Sequence, residues 1–319
     1  MPLYISMDSP LLSVAAKGIN GASKAKYDPT KSETAHQVGK SEVSSSTHIT
    51  SVNYQEMVSV AGVEVLNQTV QVMTSAPRGK TLEEVYQSDV PWAGTFGLGR
   101  SDSGSSNSTP SYLENLIRMN AIDRHVCGIS ITNEGGFLDF GFLDRRAYTG
   151  DVLWVEVDSE YMENYWTIQM DGVGLNSALI PNTGGRIQFS PEHRFSFISK
   201  SLGERWFANI SHDVDPTLNV YTLPCELKNT DTIGFAVNGR IFSVPILTLV
   251  LSASPLNSSM CLTAIRRVDD SQFLDDKLIV MGAIQMRSYY TILSYEKEHQ
   301  GLALGLAQAS GVRLGGNPN

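Results

Sequence analysis

Apolar and polar residues alternate with a period of two through most of the chain. Val58-Ser-Val-Ala, Val63-Glu-Val-Leu, Thr69-Val-Gln-Val, Gly128-Ile-Ser-Ile-Thr, Leu153-Trp-Val-Glu-Val and Trp166-Thr-Ile-Gln-Met all follow it. Such a pattern places every second side chain on one face and predicts half-buried strands. Asp171-Gly172 and Asn238-Gly239 fall between runs of this kind, and each is a favoured pair for a two-residue hairpin turn. Helical spacing is rare. Leu113, Leu116, Ile117 and Met119 give Pro110 to Ala121 one apolar face. Ile198 to Phe207 is a weaker helix, interrupted by Gly203. Lys17 to Ser46 and the Ser/Gly/Asn-rich stretch Ser101 to Thr109 read as loops. Strand patterns resume on both sides of residues 150–165, which places a domain boundary there. No repeat of 20–50 residues is evident. The predicted class is mostly β, with a few short helices.

Composition narrows the function. Of 319 residues, 41% are hydrophobic and 18% charged, enough apolar surface for one large or two medium domains. A net charge of −9 argues against a nucleic-acid partner, because phosphate binding wants a basic face. No membrane span is predicted: the longest apolar stretch, Val244 to Val250, is broken by Pro245 and Thr248. Met-Pro-Leu-Tyr-Ile-Ser has neither the basic start nor the apolar run of a signal peptide, so the chain reads as cytoplasmic as written, or as secreted if its start is trimmed.

Most cofactor and catalytic signatures are missing. Three cysteines, Cys127, Cys225 and Cys261, allow at most one internal disulfide, and there is no CxxC or HExxH. No P-loop is present; Gly94, Gly97 and Gly99 do not form GxGxxG, and Gly99-Arg-Ser-Asp-Ser fails GxSxG at its last glycine. No metal and no cofactor are expected.

A longer series of segments does carry a resemblance. In order come Trp92-Ala-Gly-Thr-Phe-Gly-Leu-Gly, the helix at 110–121, Gly135-Gly-Phe-Leu-Asp-Phe-Gly-Phe-Leu-Asp, Tyr148-Thr-Gly-Asp-Val-Leu-Trp-Val-Glu-Val and Tyr165-Trp-Thr-Ile-Gln-Met-Asp-Gly-Val-Gly-Leu-Asn. The Asn238-Gly239 hairpin, Pro245, Cys261, Val280-Met-Gly-Ala-Ile-Gln-Met-Arg-Ser-Tyr-Tyr-Thr-Ile-Leu and Gln300-Gly-Leu-Ala follow. From about residue 4 to residue 304 the chain resembles the pepsin-like aspartic proteases, the fungal members most closely. The resemblance implies a bilobal β fold with a central cleft, an N-terminal lobe at 1–157, truncated at its start, and a C-terminal lobe at 158–319. It also implies a disulfide between Cys225 and Cys261. Cys127 falls on a strand and reads as a small buried residue.

The family's chemistry needs one Asp-Thr/Ser-Gly loop from each lobe, because two adjacent carboxylates share a proton as acid and base. Asp8-Ser9-Pro10 keeps the first aspartate but has proline for glycine. In the second loop the aspartate position falls on Phe189 or Ser190, so the pair is expected to be lost. Glu192 and His193 stand beside that position as an acid–base pair. Ser190-Pro191-Glu192 equally reads as a helix start. Arg194, Phe195 and Phe197 line a pocket or pack a core. Tyr54 is the candidate flap tyrosine, in a segment without the family's glycines. The candidate catalytic residues are thus Asp8, Glu192 and His193, with Tyr54, Phe189, Ser190, Arg194 and Phe195 as substrate contacts.

Three functions follow as expectations. The first is a non-proteolytic enzyme whose cleft takes a small apolar molecule, such as a cyclase or isomerase of fungal secondary metabolism. The second is a pseudoprotease that binds a peptide or protein. The third is a residual endopeptidase using Asp8. Asn67-Gln-Thr, Asn107-Ser-Thr, Asn209-Ile-Ser and Asn257-Ser-Ser are glycosylation sequons that matter only in a secreted chain.

Overall fold

The alternating segments become strands. The structure is a computed structural model that describes residues 3–20, 26–86, 93–101, 109–133, 135–158, 160–161, 164–228, 230–272, 275–299 and 301–310. Contacts divide the chain into two compact units. The first runs to Asp123 and takes in Tyr165; the second holds the rest.

The first unit is a six-stranded sheet of β1 (Tyr4–Ser6), β2 (Leu12–Ala15), β3 (His36–Val43), β4 (Thr50–Val60), β5 (Val63–Ser75) and β6 (Gly94–Gly97). Their order is β1-β6-β2-β5-β4-β3. β4 and β5 form a long hairpin closed at Ala61-Gly62, whose φ angles of 51° and 85° suit a type I′ turn. β3 lies within the stretch expected to be a loop. All eight of its residues are exposed, so it carries no apolar face for a sequence pattern to show. Helix α1 (Leu82–Tyr86) follows β5, and α2 (Tyr112–Arg118) forms where the spacing predicts it. Ser111 caps α2, and Glu114 returns the bond to the Ser111 N–H, a complete capping box. Leu113 and Leu116 are buried, and the Tyr112 hydroxyl donates to the Val63 carbonyl of β5 (2.7 Å). A buried carboxylate, Glu56 of β4, ties down the segment before β3. It accepts from the Tyr27 and Thr34 hydroxyls and from the Met57 N–H.

The second unit contains three sheets. Its strands are β7 (Val126–Thr132), β8 (Gly135–Phe140), β9 (Tyr148–Glu156), β10 (Thr167–Met170), β11 (Gly172–Leu175), β12 (Ala178–Leu179), β13 (Gly185–Phe189) and β14 (Ser196–Ser199). After α3 (Lys200–Trp206) come β15 (Asp213–Val214), β16 (Val220–Pro224), β17 (Thr232–Val237), β18 (Arg240–Pro245), β19 (Val250–Ala253), β20 (Met260–Val268) and β21 (Leu278–Met281). Helix α4 (Ala283–Met286), β22 (Tyr289–Ser294) and β23 (Ala303–Ala309) complete it. The sheets run β10-β13-β21-β14-β20-β16-β15 with β19 on β20, then β12-β11-β17-β18, then β8-β7-β22-β23-β9.

Of the two predicted hairpins, Asn238-Gly239 forms between β17 and β18, with φ angles of 49° and 75°. Asp171-Gly172 does not. It carries the chain from β10, which pairs β13, to β11, which pairs β17. A Cβ on Gly172 would sit 2.6 Å from the Thr183 hydroxyl, so the glycine serves a close approach instead of a turn. Gly203, read as a helix interruption, is likewise a packing residue: a Cβ there would lie 2.0 Å from the Tyr221 hydroxyl, and α3 continues through it from a Ser199 cap. Cys225 and Cys261 are bridged, with Cα atoms 5.1 Å apart. Cys127 is buried on β7, where burial and the Asp139 charge push its thiol far above the ordinary range.

Asp139 belongs to a buried polar link of the second unit. Its carboxylate on β8 accepts from the Tyr290 hydroxyl on β22 (2.6 Å), reaching across β7 between them. Gly128 on β7 makes the crossing possible, since a Cβ there would stand 1.8 Å from that hydroxyl. Burial pushes the Asp139 carboxyl above its ordinary value, and the tyrosine bond only partly opposes it. The folded state therefore holds a proton that the unfolded chain releases near pH 4. Stability from this group is full below that pH and is lost as pH rises through the higher native value. In urea unfolding across a pH series, wild-type stability minus that of Asp139→Asn should fall with rising pH from about 4 upward. A pH-independent difference would refute the assignment.

Candidate functional site

The two units repeat one local construction, and that repetition locates the site residues. In the first unit β1 runs parallel to β6, with Ile5 opposite Phe96, and β2 returns antiparallel to β6, with Ser13 opposite Thr95. In the second unit β13 runs parallel to β21, with Phe189 opposite Met281, and β14 returns antiparallel to β21, with Phe197 opposite Val280. The outer strand beyond each return also corresponds: β2 is parallel to β5, and β14 to β20.

Each loop presses on a glycine that follows the inner strand. A Cβ on Gly97 would fall 2.5 Å from the carbonyl oxygens of Ser9 and Leu11. A Cβ on Gly282 would fall 2.8 Å and 2.2 Å from those of His193 and Phe195. The correspondences keep one constant separation: Ile5 with Phe189, Ser9 with His193, Leu11 with Phe195, Ser13 with Phe197. Asp8 therefore corresponds to Glu192, and Pro10 to Arg194.

In this register the residue that corresponds to Asp8 is Glu192, two or three residues beyond the Phe189 or Ser190 of the sequence alignment. The likeness of Ser9-Pro10 to Ser190-Pro191 is a coincidence of composition, displaced from the backbone register. Phe189 is buried inside β13, and Ser190 is fully buried with its N–H donating to the Met281 carbonyl (3.0 Å). Both side chains are buried in this structure. The helix expected to start at Ser190 is also absent. The His193 N–H closes a turn onto the Ser190 carbonyl (3.1 Å), and β14 follows. Pro191 occupies the turn position its fixed φ favours. Phe96-Gly97 and Met281-Gly282 mark equivalent strand ends, but the stretch between loop and inner strand is one residue longer in the second unit, so a count from the glycines leads to His193 and only the strand register leads to Glu192.

Asp8 is half-buried, its N–H donating to the Ser6 hydroxyl (3.2 Å). Ser9 stabilises the turn twice: its hydroxyl accepts from the Leu11 N–H (3.2 Å) and its carbonyl from the Gly99 N–H (2.9 Å). Tyr54 is half-buried within β4, paired with Val70 of β5 and Gln37 of β3, well before the hairpin tip at Ala61-Gly62.

Around the second loop the side chains are aromatic and cationic. Glu192 is half-buried, and His193 and Arg194 are exposed. The His193 ring meets Phe197 edge-on at 5.1 Å. The Arg266 guanidinium lies over Phe195 (5.2 Å) and Phe197 (5.6 Å), and that of Arg194 over Phe195 (5.6 Å). Arg287 lies close enough for the Arg194 charge to act on it, and burial with that charge lowers its affinity for a proton. Packing on one side pushes the His193 imidazole below its ordinary value, and Arg266 adds to the effect while Glu192 opposes it. A separate cavity of about 390 Å³ in the second unit is lined by Glu204, His212, Asp213 and Arg267, among others, and by none of these loop residues. Among the described residues no cluster of histidine, cysteine or carboxylate side chains is arranged to hold a metal ion.

The comparisons agree with this architecture. The eukaryotic aspartyl protease family matches residues 9–305, beginning one residue after Asp8. Pepsin A of Suncus murinus is 25% identical over 292 residues, covering 87% of this chain and 70% of the relative. Rhizopuspepsin-4 of Rhizopus niveus is 23% identical, covering 72% of this chain and 57% of the relative. Chymosin of Camelus dromedarius is 23% identical, covering 87% and 69%. The chain belongs to the eukaryotic aspartyl protease family, and its mostly β, pepsin-like fold is that of the family.

Two measurements test the local geometry. Gly97→Ala and Gly282→Ala should each destabilise by about 1–3 kcal/mol or more in chemical unfolding, because backbone has to move; wild-type stability in either would refute the close approach. In a proton NMR titration His193 should titrate below the ordinary histidine value. Arg266→Ala should raise that midpoint and Glu192→Gln lower it further; the reverse order would place these groups elsewhere.

Proposed function

We propose that the chain is a pepsin-family peptide-binding protein that does not cleave peptides by the family's paired-aspartate route. The observation that carries this reading is the second loop. Where the family has Asp-Thr/Ser-Gly, this chain has Glu192-His193-Arg194, with Arg266 stacked on the neighbouring aromatic rings. A small turn that holds a carboxylate in place has become a bulky, cationic one. The Nε atoms of Arg266 and Arg287 are buried without a hydrogen-bond acceptor among the described residues. Buried donors of this kind favour an acceptor from a ligand. A guanidinium fork suits a carboxylate, so the preferred ligand is a peptide bearing an acidic side chain or a free C-terminus. The relatives are all proteases by name, which favours a peptide over the small apolar molecule that a cyclase or isomerase would take.

One observation favours a second reading. The register gives each unit a carboxylate at the corresponding loop position, Asp8 in one and Glu192 in the other. Each is a carboxylate of the kind that acid-dependent hydrolysis uses as base or acid.

Peptide libraries incubated with the protein from pH 3 to pH 7 and read by mass spectrometry separate the two. Under the first reading no cleavage accumulates, acidic peptides raise the melting temperature, and Arg194→Ala or Arg266→Ala weakens their binding about tenfold, equivalent to about 1.4 kcal/mol. Cleavage at acid pH that disappears in both Asp8→Asn and Glu192→Gln would replace it with the second.

A further inference from the structure

We propose that Asn67 and Asn257 carry N-linked glycans, and that the sugars cover the two leucines beside them. Both asparagines head Asn-x-Ser/Thr sequons and are exposed. Each directly follows a large apolar residue that stands out in solvent: Leu66 is 58% exposed and Leu256 68%. Leu256 is the most exposed large apolar side chain among the described residues. The inference is independent of the reading of the loops.

Local geometry suits both positions as acceptors. Asn257 lies in the connection between β19 and β20. Its Oδ1 accepts from the Ser259 hydroxyl (2.8 Å) and the Ser259 N–H (3.1 Å). The third residue of the sequon thus already contacts the acceptor side chain, and it does so through the oxygen, not through the nitrogen that takes the sugar. Asn67 has a left-handed backbone, φ 56°, where the β4–β5 pairing shifts register. The irregularity leaves its side chain in solvent while Gln68 beside it is fully buried. Asn209 is also exposed but follows Ala208, with no large apolar neighbour before it, and Asn107 lies outside the described residues.

A second observation points to the compartment where this chemistry occurs. Cys225 and Cys261 are bridged, and the Cys225 N–H donates to the carbonyl of Ser259 (3.0 Å), the third residue of the Asn257 sequon. Disulfides form and persist in oxidising, secretory surroundings. The transfer itself draws on a lipid diphosphate-linked oligosaccharide. A bond forms between asparagine Nδ2 and the anomeric carbon, the bond from that carbon to the diphosphate oxygen breaks, and Nδ2 gives up one proton. The glycan then shields apolar surface that water would otherwise meet.

The test is secretion of the full chain from yeast behind that host's leader, followed by peptide mapping with and without peptide N-glycosidase, which leaves aspartate at each former acceptor. The expected result is an aspartate at both 67 and 257 after treatment, one glycan lost in each of Asn67→Gln and Asn257→Gln, and an intact Cys225–Cys261 bridge. Enzymatic removal of the sugars should raise hydrophobic-dye binding severalfold, and Leu66→Ser with Leu256→Ser should reverse that rise. Mapping of the wild-type protein keeps the test valid if a variant fails to fold. Unmodified asparagine at either position in secreted protein overturns the assignment there. Dye binding unchanged on deglycosylation overturns the covering role, and free thiols at Cys225 and Cys261 overturn the secretory one.

Discussion

A glycine without a side chain sets the geometry of each loop. Gly97 and Gly282 lie so close to loop carbonyl groups that a single added methyl would overlap them. The constraint works in both directions. It fixes how far the chain travels between leaving one strand and returning on the next, so it fixes which residue stands at the exposed middle of the turn. Parallel pairing on one side and antiparallel pairing on the other leave no slack, because a one-residue slip would turn every side chain of the returning strand to the opposite face. What occupies the loop then varies freely. Pro10 and Arg194 stand at corresponding positions of the two loops, and the backbone path accommodates both.

Much of the fold was legible in the sequence, for reasons that individual elements show. Alternation of residue type marked β4, β5, β7 and β9, although β7 is buried on both faces along Val126–Ile129. The Asn238-Gly239 turn was readable because its backbone requires φ above zero twice. β3 was invisible because an edge strand with no buried residue obeys no period. Asp171-Gly172 misled because glycine before a strand serves close packing as readily as turning. The site was legible only in part. Asp8, Glu192 and His193 are all at the two loops, but the second loop was displaced by the Ser-Pro echo. Phe189 and Ser190, read from the sequence as site residues, are buried at the end of β13 and just beyond it. The Arg266 contribution comes from a strand some seventy residues further on, and no local spacing connects them.

The second loop carries imidazole, guanidinium and carboxylate side chains on the same backbone scaffold as the first. Aspartic chemistry relies on a compact turn around a carboxylate. Here the exposed positions hold an imidazole and a guanidinium, and a second guanidinium lies over the aromatic rings of Phe195 and Phe197. A cation held over ring faces is attracted by their π electrons. The carbon framework of Phe195 and Phe197 thereby links the core of the eight-stranded sheet to the chemistry of its surface.

The exposed edge of the first unit has a consequence of another kind. A strand whose outer N–H and C=O groups face solvent is a template for a second molecule, and eight residues are long enough to act as one. β3 blunts that hazard by its own composition. Its pairing with β4 breaks register between Val38 and Glu42, where Gly39 adopts a left-handed backbone, and Lys40 and Glu42 place opposite charges along the edge. A neighbour docking there would meet a kinked, charged rim instead of a flat ladder. The same lack of pattern that hides β3 from a reading of the sequence is what keeps two copies of this sheet from zipping together.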